Sequence, residues 1–132
     1  MIQRILVGTP SSDDSPAALD AAAELACSYD ADLIVLQVEP AIDARRVFDP
    51  DGVPAPTDHL TVLRRTHPGL RVRSHSARGN AVRNVCQLAE TERPDLIVVP
   101  QGGRAGIDAL LSKRASKALA ERAPCPVLLV AS

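Results

Sequence analysis

The sequence predicts an α/β fold on a five-stranded, parallel, doubly wound sheet. Four short apolar runs, at residues 2–7, 32–38, 95–99 and 127–130, are β-branched or Leu-rich and nearly continuous. Strands of a parallel sheet look like this because helices cover both faces and leave few positions to solvent. Segments of helical period separate the runs, so strands and helices alternate along the chain.

The first strand opens the chain, and a helix over residues 15–29 follows. Leu19, Ala22, Ala23, Ala26 and Cys27 are assigned to its buried face, with Ser12, Asp13 and Asp14 as capping and dipole-compatible residues and Pro16 in the first turn. After the second strand, residues 39–57 are rich in Pro and Asp and read as a loop. They are not a domain linker, because too little chain precedes them to fold alone. A short helix over residues 58–66 leads to a strand over residues 70–76, where Leu70 and Val72 alternate with Arg71, Arg73 and His75. Charges at alternate positions discourage pairing with another molecule, which predicts an edge strand. A helix over residues 80–91 puts Val82, Val85, Leu88 and Ala89 on one face. The last helix, over residues 112–122, ends at Ala123-Pro124-Cys125-Pro126, where proline cannot continue it. With right-handed crossovers, this order places any ligand at the carboxyl ends of the strands.

The chain has 132 residues, and residues 1–132 are read as a single domain. Its composition is 45% hydrophobic but 2% aromatic, so the core must be aliphatic. Scarce aromatics argue against a base-stacking surface, which makes nucleic acid an unlikely partner. The net charge of −1 conceals an asymmetry: residues 1–58 hold eleven acids and three bases, residues 59–132 five acids and twelve bases. Halves of an α/β sequence interleave in space, so the split reads as mixed surface charge. Arg64, Arg65, Arg71, Arg73, Arg78 and Arg83, with no carboxylate between His59 and Ala89, form the one local basic patch. It would suit an acidic partner or nucleic acid. Cys27, Cys86 and Cys125 are odd in number, far apart and set among apolar neighbours, as expected of reduced, buried thiols. The start of the chain lacks a signal-peptide pattern and no apolar run approaches a bilayer span, so a cytoplasmic protein without a membrane anchor is expected.

Two loops leave strand ends near the middle of such a sheet, residues 8–14 and residues 100–112. The second contains Gly102, Gly103 and Gly106 and runs into a helix N-terminus. Glycines let backbone approach a ligand, and free N–H groups with the helix dipole attract an anion. The spacing is neither GxxxxGK[ST] nor GxGxxG. Lys113 and Arg114 stand near the start of that helix, where the dipole disfavours cations, and an anion there would offset the cost. Solvated side chains on a surface turn account for them equally well.

Asp95-Leu96-Ile97-Val98-Val99, Gly103-Arg104-Ala105-Gly106-Ile107, Leu110-Leu111, Ser116 and the closing Ala123-Pro124-Cys125-Pro126-Val127-Leu128-Leu129-Val130 resemble the C-terminal half of the universal stress protein family. Ile5-Leu6-Val7-Gly8, Ser12, Ser15, Ala17-Ala18-Leu19, Ala22-Ala23 and residues 33–38 resemble its first strand, first helix and second strand. The resemblance implies an adenine-nucleotide alpha-hydrolase-like sheet of strand order 3-2-1-4-5, a role in the stress response, and a homodimer joined through the last strand. It places a nucleotide site at Thr9, Pro10, Val38, Gly102, Gly103, Lys113, Arg114 and Ser116. ATP-binding members carry an aspartate at the end of strand one and a G-x2-G-x9-G-[ST] loop after strand four. Here Pro10 replaces the aspartate, and the loop motif falls on Pro100, Gly103, Lys113 and Arg114, so one of its four positions keeps the family type. Pro100 removes an N–H and Lys113 adds a side chain where glycine gave room. The resemblance therefore implies a regulatory or interaction protein, acting on an unidentified protein partner, that has lost ATP binding in the usual way and needs no cofactor. The alternative is a member that binds ATP, with magnesium, through the side-chain charge of Lys113 and Arg114.

Nothing in the spacing assembles a nucleophile, a metal site or a matched acid and base. His59, His67 and His75 belong to the second helix and the edge strand, away from both central loops. A phosphorylated receiver would share the acidic pair Asp13 and Asp14, but its third strand should end in aspartate, where this chain has Ser74-His75-Ser76.

Overall fold

The computed structural model describes residues 1–10, 17–39, 59–100 and 113–130, with the backbone alone for Pro10, His59 and Lys113. The described elements are β1 (Arg4–Pro10), α1 (Ala17–Tyr29), β2 (Asp32–Glu39), α2 (His59–Thr66), β3 (Val72–Arg78), α3 (Ala81–Glu92), β4 (Leu96–Pro100), α4 (Lys113–Arg122) and β5 (Val127–Val130). The strands form one parallel sheet of order β3-β2-β1-β4-β5. Fold class and strand order thus match the expectation.

The apolar runs are continuous because alternate residues feed opposite layers. Ile5, Val7, Leu33, Val35 and Val98 pack with Ala18, Leu19, Ala22, Ala23 and Ala26 of α1 and Leu63 of α2. Leu6, Ile34, Leu36, Ile97 and Val99 pack on the other face with Val82, Val85, Cys86 and Ala89 of α3 and Ala115 and Leu119 of α4. Right-handed crossovers dictate this split: the chain steps outward from β1 to β3 with α1 and α2 on one face, then returns to β4 and β5 with α3 and α4 on the other. Full burial of each large aliphatic side chain contributes about 1.5–3 kcal/mol. The alanines of α1 bring that helix close to the sheet. On the other face Gly8 does the same for α3, since a Cβ there would lie 3.2 Å from Val85 Cγ2 and 3.6 Å from Val99 Cγ1.

Strand ends differ from the expectation in one consequential way. β1 does not stop at Val7 but runs through Pro10, because β2 continues beside it, Thr9 opposite Gln37 and Pro10 opposite Val38. Proline can close a strand but cannot donate to the ladder beyond it. β4 likewise ends on Pro100, in register with Val130 of β5. β3 starts and ends two residues later than expected and lies at the sheet edge as expected.

The turn from β3 into α3 needs Gly79, whose φ is 99°. Asn80 then caps α3, its Oδ1 accepting from the N–H of Arg83 at 3.0 Å.

Cys27 is a correction: it is exposed. The buried arc of α1 runs through Ala18, Leu19, Ala22, Ala23 and Ala26, and at about 100° per residue Cys27 falls past its edge. Cys86 is buried and Cys125 half-buried; burial pushes both thiols up in pKa, which favours the protonated form. The caps assigned to Ser12, Asp13, Asp14 and Pro16, and the loop of residues 40–57, lie outside the described residues.

Candidate functional site

The carboxyl ends of the strands form the pole at which a doubly wound sheet binds ligands. Thr9 is the penultimate residue of β1 and follows Ile5 and Val7 on the α1 face by alternation. It is 2% exposed, and its Oγ1 has no hydrogen-bond partner. Pro10 ends the strand beside Val38, which is 6% exposed and packs in the α3 layer. Lys113, Arg114 and Ser116 share the first turn of α4. Arg114 is exposed; Ser116 is 9% exposed, and its Oγ is likewise without a partner. Gly102 and Gly103 lie outside the described residues, as does the side chain of Lys113.

Of the sequence-assigned positions, the structure therefore sets Pro10 against Val38 and gathers three residues on one turn of α4. It also reveals what the sequence hides. Among the described residues, the buried side-chain polar atoms lacking a partner are Thr9 Oγ1 and Ser116 Oγ. Leaving such a group unsatisfied costs about 1–3 kcal/mol, so proteins keep few of them without a further role. No sequence pattern separates an orphaned threonine hydroxyl from one bonded to a neighbouring strand.

The outer part of the same pole is satisfied. Arg78 Nε lies 3.2 Å from Glu39 Oε2, the Gly79 N–H donates to the Glu39 carbonyl at 3.0 Å, and Asn84 Nδ2 donates to the Arg78 carbonyl at 2.9 Å.

At the opposite, amino pole several described polar groups are paired. Asp95 Oδ2 accepts from the backbone N–H of Gln3 at 2.7 Å and of Arg4 at 3.1 Å, tying β1 to the start of β4. These bonds hold the carboxyl below the usual range, the Gln3 bond foremost. Arg71 bonds Asp32 through Nε and Asp30 through Nη1 at 3.1 Å, which raises its already high pKa. Arg73 Nη2 lies 3.0 Å from Glu92 Oε2, and His75 Nε2 lies 3.6 Å from Glu92 Oε1.

The basic patch is corrected accordingly. Three of its six arginines, Arg71, Arg73 and Arg78, have carboxylate partners supplied by β2 and by the ends of α1 and α3. The shallow groove lined by Ala89, Glu90, Arg93, Pro94 and Pro124 is also at the amino pole and is not part of the site. His67 Nδ1 lies 2.9 Å from Thr66 Oγ1 at the end of α2. Among the described residues no three His, Cys, Asp or Glu side chains gather to hold a metal.

The model of the universal stress protein family matches residues 1–131. Searched against curated proteins, the chain finds no match. Among solved structures it is similar to a universal stress protein in complex with cAMP, at 23% identity and a TM-score of 0.70, covering 98% of this chain and 97% of that one. It is similar to the universal stress protein UspA of Lactobacillus plantarum, at 21% identity and a TM-score of 0.70, with the same coverage. An Arabidopsis thaliana family protein with AMP bound matches at 19% identity and a TM-score of 0.60, covering 98% of this chain and 90% of that one. At these identities the likeness shows the fold alone. The family match rests instead on nearly the whole chain, and it agrees with the sheet order: the chain belongs to the universal stress protein family.

Proposed function

We propose that this chain is a regulatory, partner-binding member of the family, cytoplasmic and homodimeric through β5, that does not hold ATP in the usual way. The observation that carries the reading is the character of the β5 edge. Leu128 and Leu129 are each 39% exposed, and Val127–Val130 contains no charge. An uncovered apolar edge invites a second strand, whereas the arginines along β3 discourage one. Among the described residues no helix is long and apolar enough to cross a membrane. Sedimentation velocity tests the proposal: the wild-type chain should run as a dimer, and Leu129→Arg should weaken the dimer about 100-fold or more, since it puts a charge on the apolar edge. A wild-type monomer at 100 micromolar overturns it.

A second reading, nucleotide binding at the carboxyl pole, is favoured by a separate observation, the two orphaned hydroxyls at Thr9 and Ser116. Both are positions that the family resemblance places at its nucleotide site, and similar structures hold cAMP and AMP. The residues present fit such a ligand: Ser116 and the amino end of α4 would face a phosphate, with Lys113 and Arg114 supplying charge. The usual motif positions are replaced, so ATP is disfavoured here as well. Calorimetric titration with AMP, ADP and ATP, each with and without magnesium, tests this reading, and silence at millimolar ligand overturns it.

A further inference from the structure

We draw no further inference here: the strongest candidate, the shallow groove at the amino pole lined by Ala89, Glu90, Arg93, Pro94 and Pro124, sets one acid against one base and so favours no charge of ligand, and nothing in the structure shows what covers it.

Discussion

The two poles of the sheet treat their polar groups in opposite ways. At the amino pole, Asp95 caps the junction of β1 and β4, Arg71 joins Asp30 and Asp32, and Arg73 reaches Glu92. At the centre of the carboxyl pole, two hydroxyls are buried without partners and both middle strands end on proline. One pole is arranged to hold the strands in place, and the other keeps polar groups unsatisfied at a cost in stability. Such a division is expected where a fold carries a site: favourable packing elsewhere tolerates groups that only a ligand would satisfy.

The largest effect should come from removing what the carboxyl pole leaves unsatisfied. Thr9→Val and Ser116→Ala each exchange an orphaned hydroxyl for an apolar group of similar or smaller size. Each should stabilise the apo protein by about 1 kcal/mol. The two residues lie on different layers, so the double variant should approach the sum, about 2 kcal/mol, in urea unfolding. Loss of stability in both single variants would mean that the hydroxyls are bonded in solution, and the contrast between the poles would disappear.

The converse experiment belongs to the amino pole. The Glu92 carboxylate is 16% exposed and pairs with both Arg73 and His75 of the edge strand. Glu92→Gln keeps the shape and removes the charge, leaving Arg73 with a weaker acceptor. Stability should fall by about 1 kcal/mol, with nucleotide affinity unchanged. A variant that also weakened AMP would show that the two poles are coupled, contrary to the comparison.

Reading the sequence recovered one pole better than the other, for physical reasons. Continuous apolar runs must come from strands covered on both faces, and alternating arginines must come from an edge, so the sheet and the place of β3 were legible. The pairing of Arg71 with Asp30 and Asp32 was not, because the partners are about forty residues away and meet only through the β2–β3 register. That is why a run of arginines without acids looked like a free basic patch. Cys27 failed on a finer scale: membership of a helix face is decided by a few tens of degrees, and Cys27 lies just past the buried arc. At the site, the resemblance pointed to Thr9 and Ser116 as residue types at family positions. Their missing partners depend on three-dimensional surroundings that no spacing encodes.

The smallest effect, and the most specific in its pH dependence, concerns Asp95. Two backbone N–H groups stabilise its charged form, which depresses its pKa in the folded state relative to the unfolded chain. A depressed carboxyl contributes stability that is fully present above the unfolded value, about 3.9, and is lost as pH falls through the folded value. Asp95 is exposed, so solvent weakens the contribution, and Asp95→Asn should cost only about 0.5 kcal/mol at pH 7. The gap between wild type and variant in urea midpoint should stay level from pH 7 to about pH 5, then close below about pH 4 as the wild-type carboxyl protonates. A gap that persisted unchanged at pH 3 would assign the loss to altered shape rather than charge. The junction of β1 and β4 would then be held by its ladder alone, and the amino pole would owe less of its stability to charge than its ion pairs suggest.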